Sequence, residues 1–286
     1  MLLLAFSCSN PQQEITLTAG DLKITLDGRG FLTGFYEVAT GKNYLAKDTL
    51  APMLSLRLNG RYLFPVKVEF DSKNNRLTLH YDENTRAVIK VETKPTHLAF
   101  ELLSVTDAGK FDLAVWGPYP LTLNKYIGET VGIAGNDEFT AGIQSLNPKT
   151  LGGYPWNEND CMPQIDIFDQ DDPSDLNEKG KRYVLYRVEA AKPAGFGSTL
   201  QAYCRNRNKP RIIKNLNYDK YVAPPFDDGG ITGSKIALFG CPPEQTLTTI
   251  GTIEVAEGLP HPMLDGQWAK TAKGASAAYL IMDFGE

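Results

Sequence analysis

Leu54-Ser55-Leu56-Arg57-Leu58-Asn59-Gly60-Arg61-Tyr62-Leu63-Phe64 is the stretch that decides the fold class. Leu54, Leu56 and Leu58 alternate with Ser55 and Arg57, the two-residue period of a strand with one face in a core. Asn59-Gly60 follows at once. Both residues accept positive φ, which a two-residue hairpin turn requires, so the pair is a strong hairpin signal. The chain then returns through Leu63 to Phe70.

The same grammar extends in both directions. Upstream, Leu22, Ile24 and Leu26 alternate with Lys23 and Thr25 before an Asp27-Gly28 turn. Downstream, Lys73-Asn74-Asn75 turns the chain, and Leu77, Leu79 and Tyr81 alternate again. Val88 to Glu92 and His97 to Val105 complete a series without helical periodicity. Strands are also expected at Val131–Ile133 and Phe139–Leu146, around an Asn136-Asp137 turn. Tyr183–Ala190, Thr199–Cys204 and Lys235–Gly240 read the same way. One short helix opens at Pro243, carries Leu247, Ile250 and Ile253, and closes at Gly258. The fold class is therefore all-β, a large antiparallel β-sandwich with one short helix. Ala277 to Met282 is a continuous apolar run, as in a strand buried on both faces. It reads as the first strand of a second domain. The expected division is 1–13 leader remnant and linker, 14–258 sandwich, 259–276 linker and 277–286 second domain.

The chain has 286 residues, of which 42% are hydrophobic and 22% charged, so a sizeable core is expected. A net charge of −5 argues against nucleic acid as a partner. Met1 to Phe6 is apolar and ends in Ser7-Cys8-Ser9-Asn10, the pattern a lipoprotein signal peptidase cuts. Cys8 is then the acylated residue. The run lacks the basic residues of a full signal peptide, which places the start of the leader upstream. Cys161, Cys204 and Cys241 show no metal-ligand spacing. One disulfide with a leftover thiol and three buried thiols both remain open.

Candidate chemistry is sparse. His80, His97 and His261 are scattered, and a satisfied surface or edge histidine is the default for each. Asp166, Asp169, Asp171, Asp172 and Asp175 crowd together. A solvated loop without a cofactor is the default reading, and a Ca²⁺ ion held by Asp166, Asp169 and Asp171, which would neutralise them, is the alternative. Glycoside hydrolysis needs two carboxylates flanking the sugar. Glu129, Asp227, Asp228 and Asp283 lie in Gly-flanked or aromatic surroundings. Trp116, Tyr119, Tyr154, Trp156 and Trp268 offer rings that stack on sugars or anchor loops. The loops 116–120, 152–157 and 225–230 are where substrate contact is expected, and Trp116, Trp156, Asp227 and Asp228 are its candidate residues.

Longer phrases carry a resemblance. "DGRGFLTGFYEVATGKNYL" (27–45) resembles the start of the galactose-mutarotase-like super-sandwich that precedes the barrel in several α-glycosidase families. "WGPYP" (116–120), "IGETVGIAG" (127–135), "GIQSLNPKTLGGYP" (142–155), "QAYCRNR" (201–207), "KYVAPPFDDGGITGSKIALFGCP" (220–242) and "IEVAEGLPHPMLDGQWAK" (253–270) look like secreted bacterial α-galactosidase-like glycoside hydrolases. In those, "AAYLIMDFGE" (277–286) opens a (β/α)₈ barrel. The resemblance covers nearly all of residues 15–286. It implies a non-catalytic N-terminal sandwich of a glycoside hydrolase, with a glycan and its own C-terminal barrel as partners. The membrane is met through the lipid anchor alone, at the Gram-negative cell envelope. The catalytic carboxylates would lie on later barrel strands, so no catalytic residue is assigned. Asp283, ending the first barrel strand, would touch substrate. Two other readings stay open. One is a stand-alone mutarotase-like epimerase, which needs a His acid and a Glu base in one cleft. The other is a surface glycan-binding lipoprotein.

Overall fold

A computed structural model describes residues 14–128, 131–153, 190–213 and 221–272. In chain order the strands are β1 (Ile15–Ala19), β2 (Leu22–Leu26), β3 (Leu32–Glu37), β4 (Leu54–Leu58), β5 (Arg61–Leu63), β6 (Lys67–Asp71), β7 (Arg76–His80), β8 (Arg86–Thr93), β9 (His97–Val105), β10 (Leu113–Leu121), β11 (Tyr126–Gly128), β12 (Gly132–Gly135), β13 (Thr140–Ser145), β14 (Thr150–Gly152), β15 (Ala191–Ala194), β16 (Gly197–Arg205), β17 (Arg211–Ile213), β18 (Tyr221–Ala223) and β19 (Lys235–Cys241). Helix α1 (Thr246–Ala256) follows, then the small hairpin of β20 (Met263–Leu264) and β21 (Gln267–Trp268).

The strands form an eight-stranded sheet ordered β11-β12-β13-β19-β9-β8-β7-β6 and a six-stranded sheet ordered β14-β16-β10-β4-β5, with β15 added on β16. A three-stranded sheet, β1-β2-β3, joins them. The pairings within all three sheets are antiparallel. The expected all-β sandwich is the fold observed. The deciding hairpin forms as read: Asn59 and Gly60 take φ of 51° and 75°, and Leu58 pairs with Arg61 across the turn.

Alternation sends one strand into two cores. In β10, Ala114 and Trp116 enter the core between the sheets, while Leu113 and Val115 face a second cluster with Tyr203. In β19, Ile236 and Leu238 enter the central core, while Ala237, Phe239 and Cys241 face α1. Both faces of these central strands are thus dry, which explains their nearly continuous apolar sequence.

Helix α1 lies on the outer face of the eight-stranded sheet. A Pro243–Gln245 3-10 turn leads into it. The helix is threonine-rich, so its intrinsic propensity is weak, and packing of Ile250 and Ile253 on Phe239 and Trp268 holds it. Gly258, at φ 68°, closes it, with Leu259 N–H donating to Glu254 C=O. That is a Schellman closure at the glycine where the sequence placed the helix end. Eleven residues are too few to cross a membrane.

One expectation is corrected. Trp116-Gly117-Pro118-Tyr119-Pro120 is not an exposed aromatic loop but the middle of β10, with a register shift against β16 between Trp116 and Tyr119. The two prolines suggested a loop because they cannot donate to a ladder. A bulge on the strand accommodates them.

Candidate functional site

Trp116 is fully buried and offers no face to a sugar. Its Nε1–H donates to Ser234 Oγ at 2.8 Å, and Ser234 Oγ lies 3.0 Å from Thr150 Oγ1. Thr150 Oγ1 donates to Asn147 Oδ1 at 2.8 Å and accepts from Lys235 N–H at 2.9 Å. Asn147 Nδ2 donates to Gly233 C=O at 2.7 Å. This buried string ties β10, the turn before β14 and the start of β19 together. Tyr119 is also buried, its hydroxyl donating to Met53 C=O at 2.7 Å. Burial raises its phenol well above the ordinary range.

The loop before β19 is built rather than loose. Lys149 Nζ donates to the carbonyls of Asp228 and Thr232 at 2.6 and 2.5 Å. Asp228 Oδ1 lies 3.8 Å from the same nitrogen and accepts Gly230 N–H at 3.1 Å. Asp228 therefore shapes its own loop. Asp227 is exposed beside Phe226, which is 61% exposed. Of the sequence candidates, the structure brings Asp227 and Asp228 into one surface loop and removes Trp116 to the core. Cys8, Glu129, Tyr154, Trp156, Cys161, Asp166, Asp169, Asp171, Asp172, Asp175 and Asp283 lie outside the described residues, as does most of the Tyr183–Ala190 strand. Cys204 and Cys241 are free and buried, and burial pushes the Cys204 thiol up to about 11.

Each histidine meets a glutamate. His80 Nε2 stands 3.7 Å from Glu69 near the sheet edge. His97 Nε2 lies 3.0 Å from Glu257 Oε1, and Lys235 Nζ donates to Glu257 Oε2 at 2.5 Å. His97 and Glu257 side chains are 0% and 3% exposed, so no substrate reaches them. His97 is thus a core residue rather than a surface one. Its ring is satisfied neutral, with Nε2–H donating to Glu257 and Nδ1 accepting from the Thr96 hydroxyl at 3.1 Å. Burial holds its pKa below the usual value, against the pull of Glu257. Burial also acts to raise the Glu257 carboxyl, but the bonds from Lys235 and His97 outweigh it and the net shift is downward.

The third pair mirrors the second. Glu254 accepts from Lys270 Nζ at 2.5 Å and lies 2.9 Å from His261 Nδ1. His261 stacks on Trp268 at 5.0 Å between centroids, and Lys270 lies over the same ring at 4.9 Å. Trp268 is closed in by these partners and cannot stack on a sugar. Glu254 and Glu257 were not singled out from the sequence, although each follows a buried isoleucine (Ile250, Ile253) by four residues and so prolongs the buried stripe. Together they fasten the helix to the sheet and the following segment to the helix.

Large apolar side chains stay open around α1, beside Thr248 and Thr252. Leu247, Val255, Met263 and Leu264 are 45–65% exposed. A groove of about 540 Å³ runs along Thr248, Gly251, Val255, His261, Trp268 and Thr271.

No family model matches the chain, and none of the curated proteins matches it. Among solved structures, a polysaccharide lyase aligns over 79% of this chain and 33% of its own, at 11% identity and a TM-score of 0.33. The chain thus spans about a third of that lyase's length.

Proposed function

We propose that residues 14–258 are the non-catalytic sandwich of an exported, lipid-anchored carbohydrate-active enzyme of the α-galactosidase-like kind. Residues 277–286 would open its catalytic barrel, and Cys8 would hold it at the cell envelope. The observation that carries this reading is the apolar strip of Leu247, Val255, Met263 and Leu264. Of these, Val255 lines the groove along α1, as does Thr271, where the chain leads toward the proposed second domain. Exposed apolar patches of this kind mark contact surfaces, and a domain that follows in the same chain is the nearest occupant. The fastening of His261 and Lys270 to Glu254 supports it, because it fixes the path of the linker against the sandwich.

The epimerase reading loses support. His97 and Glu257 are sealed from solvent, and in the closest pair, His261 with Glu254 at 2.9 Å, the carboxylate is 5% exposed and held by Lys270, whereas an acid and base must both reach the sugar. The surface glycan-binding reading is favoured by one feature, a row of rings from Phe31 through the 40%-exposed Phe64 to Tyr62, with centroids 6.4 and 6.5 Å apart.

Assays on two polypeptides test the proposal: the 286-residue chain, and the same chain extended to the end of its reading frame. Hydrolysis of aryl α-galactosides by the extended chain alone supports it. A stop codon directly after Glu286, or sugar epimerisation by the 286-residue chain, overturns it.

A further inference from the structure

Beside the β4–β5 hairpin, three rings stand in a row. The Phe31 and Phe64 centroids lie 6.4 Å apart, and those of Phe64 and Tyr62 6.5 Å. Tyr62 and Phe64 are two residues apart in the chain leaving β5, which puts them on one side of it. Phe31 comes from a separate turn and bridges to Pro52. Phe64 is the most open of the three at 40% exposure, with Phe31 and Tyr62 half-buried beside it. Buried Pro65 fixes the backbone directly after Phe64.

The turn that carries Phe31 also presents a cation whose charge is already cancelled. Asp27 Oδ1 accepts the Arg29 and Phe31 backbone N–H groups, both at 2.9 Å. Its Oδ2 lies 2.9 Å from Arg29 Nε and Nη2 alike. The guanidinium is thereby held over the Phe31 ring, with Cζ 5.0 Å from the centroid. Phe31 therefore carries Arg29 and leaves stacking on a ligand to Phe64. The Arg29 side chain is 62% exposed, and Nη1 has no partner among the described residues. A guanidinium has five N–H donors in a fixed fork, so Arg29 keeps outward donors whose direction is set before any ligand arrives.

An open ring beside a fixed donor, with no net charge, selects its occupant. An acidic peptide, a nucleic acid or an anionic membrane gains little from a guanidinium that Asp27 has neutralised. A neutral sugar offers a C–H face to the ring and hydroxyl oxygens to the fork. The rings also turn, by 24° between Tyr62 and Phe64 and by 42° between Phe64 and Phe31. A flat crystalline polysaccharide face needs coplanar rings, so this row suits a single soluble chain. We propose that Phe64 and Arg29 form a surface site for a soluble, neutral glycan chain. One sugar stacks on Phe64 while its hydroxyls accept from Arg29. The choice of a sugar over a protein partner rests on the carbohydrate function proposed above.

Affinity electrophoresis of the 286-residue chain tests it, in gels holding galactomannan (soluble and neutral) or polygalacturonate (acidic), with sedimentation on crystalline cellulose as a third arm. Galactomannan is expected to retard the chain, with little effect of salt because the site carries no net charge. Phe64→Ala should weaken binding at least about tenfold, as loss of an aromatic anchor does, while keeping its circular dichroism. Arg29→Lys keeps the charge but loses the fork, and should weaken binding by about threefold or more. No retardation by galactomannan, or full affinity in Phe64→Ala, overturns the site. Stronger retardation by polygalacturonate overturns the neutral assignment, and capture on crystalline cellulose overturns the soluble one. A wild-type chain that sediments as a dimer beside a monomeric Phe64→Ala chain makes the ring a self-interface and overturns the proposal. Aryl α-galactoside turnover by the extended chain scores the scaffold function separately, so each of these results leaves that reading standing.

Discussion

Trp116 shows how one residue's role depends on its partners. The indole is enclosed, and its N–H has a single buried acceptor in Ser234. Trp116→Phe keeps an aromatic ring but removes the N–H that Ser234 accepts, and a loss of about 1–3 kcal/mol is expected in urea denaturation. Trp116→Ala removes the ring as well and should cost about 3–5 kcal/mol. Any ligand binding lost in that variant should track unfolding rather than a missing contact. A Trp116→Ala protein of wild-type stability would contradict this placement. Gly142 makes the complementary point. A Cβ there would stand 2.1 Å from the Phe239 ring on the paired strand, so Gly142→Ala must push that ring out of the packing under α1. A drop in unfolding midpoint is expected, and Phe239→Leu in the same chain should relieve part of it. The Asn59-Gly60 turn was legible because its chemistry is local. Trp116 was not, because proline and glycine punctuate loops and bulged strands alike, and the distinction lies in pairing with β16.

Among the elements, α1 carries the clearest electrostatic consequence. His97 and Glu257 both titrate below their ordinary values in the folded chain. The unfolded chain therefore binds protons first on acidification, and stability present at neutral pH is lost as pH falls. The His97 share should begin to go below about pH 6.5 and the Glu257 share below about pH 4.3. Urea midpoints measured from pH 7 to pH 4 should fall, and His97→Gln should flatten the upper part of that decline. An unchanged slope in the variant would contradict the assignment. Helix α1 itself was readable from Pro243, the apolar spacing and Gly258. Its buried acids were hidden because glutamate on a helix is normally solvated, and only the strands beneath and the segment after it supply Lys235, His97, Lys270 and His261.

Over the whole molecule, the all-β class, the succession of strands and their inward faces follow from alternation and turn residues, and these were legible. The long-range map was not, since no local signal pairs β13 with β19 or β16 with β10. The candidate site was less legible still. Loop aromatics and acids drew attention by composition, while the histidine–glutamate–lysine clusters on α1 are assembled from separated segments. The apolar strip on α1 belongs to this scale too. Leu247→Ser with Val255→Ser should leave the stability of the 286-residue chain within about 0.5 kcal/mol per site. The same pair should weaken the hold between the sandwich and the proposed second domain in the extended chain, read as faster proteolysis within 259–276. The most direct test of the scaffold function is the rate of aryl α-galactoside hydrolysis by the 286-residue chain beside that of the chain continued through its reading frame. Turnover confined to the continued chain is the expected result. Hydrolysis by the 286 residues alone, or equal inactivity of both, would contradict it.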